Sequence, residues 1–235
     1  MKNLFIVTSA IKTKSGSVDI ETRFKQTIDG LKSLRAKAPE DIIFLVDAST
    51  ERISEEEHFI LSKLCDRSMM LFGDVDLMNL SERDSKSAAE ITLLYKTLNV
   101  LKKEDLSNIK RIFKLSARTN LLDGFNIQEY DKTELKGKYV FKKRISTWMH
   151  PQHQLDAGCD HLLITRMYSL CVSLIDDYLK TLHKCYVDTM AVNGLKYSLP
   201  DTEHAHYKNI DKHYLVEFDN IHCEAFLAGG KTEIY

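Results

Sequence analysis

The segment Arg111-Ile-Phe-Lys-Leu-Ser-Ala-Arg-Thr119 is an apolar strand that breaks into a polar cluster, followed by Asn120-Leu-Leu-Asp-Gly-Phe125. It arrives as the fourth strand of a strand-helix alternation, and in such sheets ligands sit just beyond the carboxyl ends of the strands. A functional site is therefore expected at Ser116 and Arg118. A second constellation, Asp74-Val-Asp76, is a carboxylate pair whose chemistry suits a divalent cation. Acids at a strand exit are also ordinary helix caps and solvated loops. A third group, His150, His153, Cys159 and His161, holds zinc-ligand types without the Cys-X-X-Cys or His-Glu-X-X-His spacing of a zinc site, and a polar loop is the plainer expectation. Cys185 needs a neighbouring base to act as a nucleophile, and no spacing supplies one, so it is expected in the core. Gly229-Gly230 precedes no helix and reads as a turn rather than a phosphate loop.

These residues must be positioned by the elements around them. Leu4 to Val7 is a continuous apolar run closing in Thr8-Ser9, as a strand buried on both faces of a parallel sheet requires. Asp19 to Leu34 places Ile20, Phe24, Ile28, Leu31 and Leu34 at helical spacing. Ile42 to Val46 is a second strand, ending in Asp47. A helix through Phe59, Ile60 and Leu64 begins with Glu55, Glu56 and Glu57, which suit its dipole. A short strand from Met69 to Phe72 follows. A helix from about Ser85 to Leu101 then uses Ala88, Ile91, Leu94, Tyr95 and Leu98 as its buried stripe and leads into Ile112 to Leu115. Four strands alternating with three helices predict right-handed crossovers on an open, mostly parallel nucleotide-binding α/β sheet. In the second half Tyr139 to Lys143 alternates as a strand, Leu162 to Leu182 carries a long helical pattern, and Tyr214 to Phe218 with Ile221 to Phe226 suggests a closing hairpin or a pair of strands. No repeat or linker divides the chain. One domain over 1–235 is expected, with a nucleotide-binding half at 1–120 and an elaborated half at 121–235.

Composition narrows the partners. A net charge of −1 without a basic block argues against nucleic acid. Five cysteines in unpaired spacing, and an amino terminus that turns polar too soon for a leader, suggest reduced thiols in a cytoplasm. No apolar run reaches the length of a membrane span.

The order of elements, together with Phe5-Ile-Val-Thr-Ser-Ala10, Thr22-Arg-Phe-Lys-Gln-Thr27, Ile43-Phe-Leu-Val-Asp47, Lys86-Ser-Ala-Ala-Glu90, Phe113-Lys-Leu-Ser-Ala-Arg118, Thr165-Arg-Met-Tyr-Ser169 and Thr202-Glu-His204, resembles the GT-A glycosyltransferases, and more closely their small viral and bacterial members. The resemblance implies transfer of a sugar from a nucleotide-sugar donor to a glycan or other hydroxyl acceptor, in glycan or polysaccharide synthesis. It implies that Thr8, Ser9 and Ala10 lie beside base and ribose, and that Asp47 contacts one of them. Lys86 and Ser87 would open a helix near the diphosphate, where free N–H groups and a cation favour an anion.

Ser116-Ala-Arg118 stands where most of the family carries the Asp-X-Asp that holds a metal against the diphosphate, so here the chain departs from the pattern. A guanidinium binds phosphate oxygens with two parallel hydrogen bonds. Leaving-group stabilisation without a metal is therefore expected from Arg118, helped by Lys86 or Arg166. No cofactor is required on this reading, and Mg²⁺ or Mn²⁺ belongs to the alternative at Asp74 and Asp76, which arrives one crossover too early for the family position. Arg23 alone is an ordinary exposed charge; the resemblance gives it an ion pair or phosphate contact. The cluster Asp201-Thr-Glu-His204 is similar to the acidic motif facing the acceptor. It makes Glu203 the first choice of catalytic base and Asp201 the second, set against a plain helix cap at Asp201. Two other readings stand beside this one: a noncatalytic nucleotide- or glycan-binding module on the same fold, and a nucleotidyltransferase, which the missing carboxylate pair disfavours.

Overall fold

The computed structural model describes residues 1–13, 18–82, 85–149, 151, 154–155, 158–191, 201–226 and 231–235. His150, His153 and the Gly229-Gly230 turn lie outside them. Strands β1 (Lys2–Ser9), β2 (Ile42–Asp47), β3 (Arg67–Met70) and β4 (Ile109–Ser116) alternate with α1 (Ile20–Lys37), α2 (Glu55–Ser62), and the pair α3 (Val75–Glu82) and α4 (Lys86–Leu101). Then come β5 (Thr119–Leu121), β6 (Tyr139–Lys142), β7 (Ile145–Ser146), β8 (His161–Leu162), β9 (Met167–Cys171), α5 (Ile175–Ala191), α6 (Thr202–Asn209), β10 (Leu215–Phe218), β11 (Cys223–Phe226) and β12 (Thr232–Ile234).

The main sheet has seven strands in the order β10-β6-β9-β4-β1-β2-β3. Neighbours are parallel except for β9, which is antiparallel to both β4 and β6. Register explains the unbroken apolar runs. On β1, Leu4 and Ile6 join one core with Ile91, Leu94 and Leu98 of α4, while Phe5 and Val7 join the other with Leu31 and Leu34 of α1. A strand covered on both faces cannot alternate with polar residues.

Three expectations are corrected. Leu162 to Leu182 is not one helix: it takes in the end of β8, all of β9 and only the first turns of α5. The apolar run Leu162-Leu-Ile164 with Met167-Tyr-Ser-Leu170 fills both cores, and a short buried run has the same composition in a strand as in a helix. Tyr214 to Phe218 and Ile221 to Phe226 are the pair of strands expected, but they do not form a hairpin. The first supplies β10, parallel to β6, and the second supplies β11, which joins β5 and β12 in a separate three-stranded sheet. On the helices, Tyr95 of the stripe expected on α4 is exposed, and α2 ends at Ser62, short of Leu64.

Candidate functional site

The carboxyl ends of β1 and β4 lie side by side, with Thr8 opposite Ser116. Beyond them opens a cavity of about 640 Å³. Ser116-Ala-Arg118 is pinned there by three main-chain bonds. Ser116 N donates to Arg166 O at 2.8 Å, Ala117 N to Thr8 O at 2.8 Å, and Phe226 N to Arg118 O at 3.0 Å. Behind the segment, α1 approaches so closely that a Cβ on Gly30 would sit 2.3 Å from the Ala117 carbonyl oxygen. Glycine is what lets the helix back the loop that carries Arg118.

Of the residues singled out from sequence, Thr8, Ser9, Ala10, Arg23, Lys86, Ser87, Ser116, Arg118, Arg166 and Glu203 all line this cavity. Asp47 and Asp201 do not. Asp47 is buried, with Oδ2 accepting from Ser9 Oγ at 2.6 Å and Ile11 N at 3.1 Å, and Oδ1 accepting from Ser49 N at 2.9 Å. It fixes the corner that presents Thr8, Ser9 and Ala10. Asp201 caps α6: its Oδ1 accepts from the backbone N of His204 at 3.0 Å and from His204 Nδ1 at 2.6 Å. That cap aims the next acid, Glu203, at the cavity.

The electrostatics are lopsided. Arg23 donates through Nε to Val18 O at 3.0 Å and through Nη1 to Ala10 O at 3.2 Å, and these bonds orient it. Arg118 Nη1 is buried and has no hydrogen-bond partner among the described residues. Burial, then the Arg23 and Arg166 guanidiniums, pull the Arg118 pKa down to about 10. The guanidinium still carries its charge at neutral pH, so this is a cation held in place against its own desolvation and two like charges. For Arg166 burial works downward as well, but Glu203, Glu90 and the Tyr235 hydroxyl outweigh it and raise the group.

Sequence reasoning gave no role to Glu90 or Lys114. Lys114 is almost wholly buried in β4, and Nζ spends its three donors on Glu90 Oε1, Ser116 Oγ at 2.9 Å and Thr165 O at 2.7 Å. Thr165 in turn donates through Oγ1 to Glu203 Oε1 at 2.9 Å. Burial works to raise both carboxyls. At Glu203 it prevails, reinforced by Asp201 and Glu90, and the group lies above the ordinary glutamate range. At Glu90 the Lys114 ammonium outweighs burial and holds the carboxyl below that range. A lysine inside a strand covered on both faces demands a partner, and that was the signal available in Phe113-Lys-Leu115.

Asp74 and Asp76 lie elsewhere. Lys96 Nζ donates to Asp74 at 2.9 and 2.7 Å and to Asp76 at 2.8 Å, and Asp74 Oδ1 also accepts from Leu77 N at the start of α3. The acids are a cap and an ion-pair cluster. Cys185 is buried in the core, its thiol pushed up to about 12 by burial and then by Asp188. Cys159 donates to His161 O at 2.9 Å.

This arrangement of sheet and helices occurs in solved structures. Core-mannan synthase A of Aspergillus fumigatus, in its Mn/GDP form, superposes over 93% of this chain and 73% of its own, with a TM-score of 0.55 and 10% identity. The chain has the GT-A glycosyltransferase fold. The galactosyltransferase LgtC, solved with donor and acceptor sugar analogues, shares it over 92% of this chain and 73% of its own (TM-score 0.52, 10% identity). Mouse xyloside xylosyltransferase 1 does so over 92% and 84% (TM-score 0.52, 13% identity). No protein-family model matches the sequence, and no curated protein matches it. Within this GT-A cavity a divalent cation does not fit the residues present. The two carboxylates are separately engaged by Lys114 and Thr165, Arg118 stands at the end of β4, and no three His, Cys, Asp or Glu side chains converge among the described residues. No helix among them is long and apolar enough to cross a membrane.

Proposed function

We propose that this protein transfers a glycosyl group from a nucleoside diphosphate sugar to a hydroxyl acceptor, using guanidiniums where a metal would otherwise bind the diphosphate. The observation that supports it most is the convergence of Arg23, Arg118 and Arg166 with Lys86 on one cavity, with Arg118 Nη1 buried and unpartnered among the described residues. Two phosphates would relieve that repulsion and supply the missing acceptors; planar guanidiniums suit their oxygens. As the bond from the sugar carbon to the phosphate oxygen breaks, its electron pair goes to the diphosphate, where Arg118 and Arg166 stabilise it. The acceptor hydroxyl forms the new bond to that carbon and gives its proton to the Glu203 carboxylate. Thr8, Ser9 and Ala10, held by Asp47, would flank the nucleoside.

The raised carboxyl of Glu203 suits a general base, since a base works best with its pKa near the operating pH. It acts deprotonated, so the rate falls as pH drops through its folded pKa. The acidic limb of kcat/KM is therefore expected above glutamate's ordinary 4.5. The test is calorimetric titration with UDP, GDP, CDP and dTDP sugars in EDTA and again with Mn²⁺, followed by a transfer assay of wild type and Glu203→Gln. Binding that survives EDTA, with transfer lowered by roughly 100-fold or more in the variant, is the expected result. Binding without transfer in the wild type would leave the noncatalytic module; binding only with Mn²⁺ would remove the guanidinium mechanism.

A further inference from the structure

Trp148, the chain's single tryptophan, is 71% exposed. A lone exposed apolar side chain is ordinary on a protein surface, but this one is rigidly mounted. His204 is buried at the base of the mount. Its Nδ1–H donates to Asp201 Oδ1 at 2.6 Å, which leaves Nε2 to accept from the Thr147 hydroxyl at 2.7 Å. Thr147 Oγ1 accepts from Met149 N at 3.1 Å, and Thr147 N donates to Asp160 O at 3.0 Å, so the residues on either side of the indole are fixed. The indole itself stands edge-on to the His204 ring, with centroids 5.5 Å apart. The chain of bonds from Asp201 through His204 to Thr147 therefore ties Trp148 to the same helical turn that aims Glu203 into the cavity.

We infer that Trp148 is a stacking platform for a pyranose ring of an acceptor glycan, one or more sugars removed from the hydroxyl that reacts. The inference rests on the glycosyltransferase reading, and it names the acceptor as an oligosaccharide rather than a small alcohol or a protein side chain alone. A flat indole face with one polar N–H suits the apolar C–H face of a neutral pyranose, and the indole packs on His204, next in sequence to Glu203, while standing outside the cavity's own lining. His204 is a positioning residue for the platform, not a contact of the sugar.

Because no other tryptophan is present, emission excited at 295 nm reports on this side chain alone. The experiment titrates the full chain with neutral tri- and tetrasaccharides of glucose, galactose, mannose and xylose, with and without bound nucleoside diphosphate. The expected result is a saturable blue shift with at least one of them and protection of Trp148 from acrylamide quenching. In calorimetry, Trp148→Ala loses that glycan at least 10-fold while nucleotide affinity stays within twofold, and Trp148→Phe recovers part of the loss. Failure of every glycan to perturb the emission, or glycan affinity unchanged in Trp148→Ala, overturns the platform. Nucleotide binding measured on the same samples separates that failure from failure of the donor site.

Discussion

Two cations four residues apart on the same stretch of chain have opposite circumstances. Both lie at the end of β4, yet Lys114 has a protein partner for each of its three protons and Arg118 has an Nη1 with none among the described residues. The first is a fastener between β4, α4 and the loop before β9. The second is held in an unfavourable field, with its pKa lowered to about 10 by burial and by Arg23 and Arg166. Residue type and depth do not separate a structural charge from one that awaits a ligand; the accounting of partners does.

The sharpest way to break this comparison is to exchange the phenotypes. Lys114→Met leaves Glu90 facing burial without its cation, and removing one member of such a pair costs about 3 kcal/mol, a fall in Tm of roughly 6–12 °C. Thermal unfolding at pH 7 checks it. Arg118→Ala removes an unsatisfied and repelled group, so Tm is expected to hold or rise while affinity for the nucleoside diphosphate drops about 100-fold, near 2.7 kcal/mol. A large loss of Tm with undiminished nucleotide binding would turn Arg118 into a second fastener. Gly30→Ala drives a methyl into the Ala117 carbonyl. It is expected to cost about 1–3 kcal/mol and to weaken nucleotide binding through the displaced loop, as denaturant unfolding alongside calorimetry would show. The smallest effect belongs to Lys96→Ala. It frees Asp74 and Asp76 from a solvent-facing cluster and should change stability by less than about 1 kcal/mol, with nucleotide binding untouched in EDTA or Mn²⁺. A Mn²⁺-dependent gain there would revive those acids as ligands.

The first half of the fold was legible because its strands are continuous apolar runs and its helices carry periodic apolar stripes; β1, β2, β4, α1 and α4 fall within a few residues of their expected positions. The second half was not, because its order is set by pairings distant in sequence. Nothing local in Leu215 to Phe218 announces a parallel partner at Tyr139 to Lys142, and nothing in Met167 to Cys171 announces that the strand will run backwards between two others. The site followed the same division. Polar residues at strand ends could be read directly, whereas Glu90 required knowing which helix face Lys114 would meet. Asp74-Val-Asp76 misdirects for the converse reason: its spacing suits a metal, but Lys96 lies twenty residues away in sequence.

The reversed strand β9 carries one more lesson. In an all-parallel sheet only the segments that follow strands reach the working end, but turning β9 around brings the segment that precedes it, with Thr165 and Arg166, beside Ser116. The two sides of the cavity are thus encoded by separate stretches of chain, one before residue 120 and one after 160. Substitution in the second stretch can alter the wall that carries Arg166 and Glu203 while Arg23, Lys86 and Arg118 of the first keep their places. A single inverted strand gives one cavity two walls that can change independently.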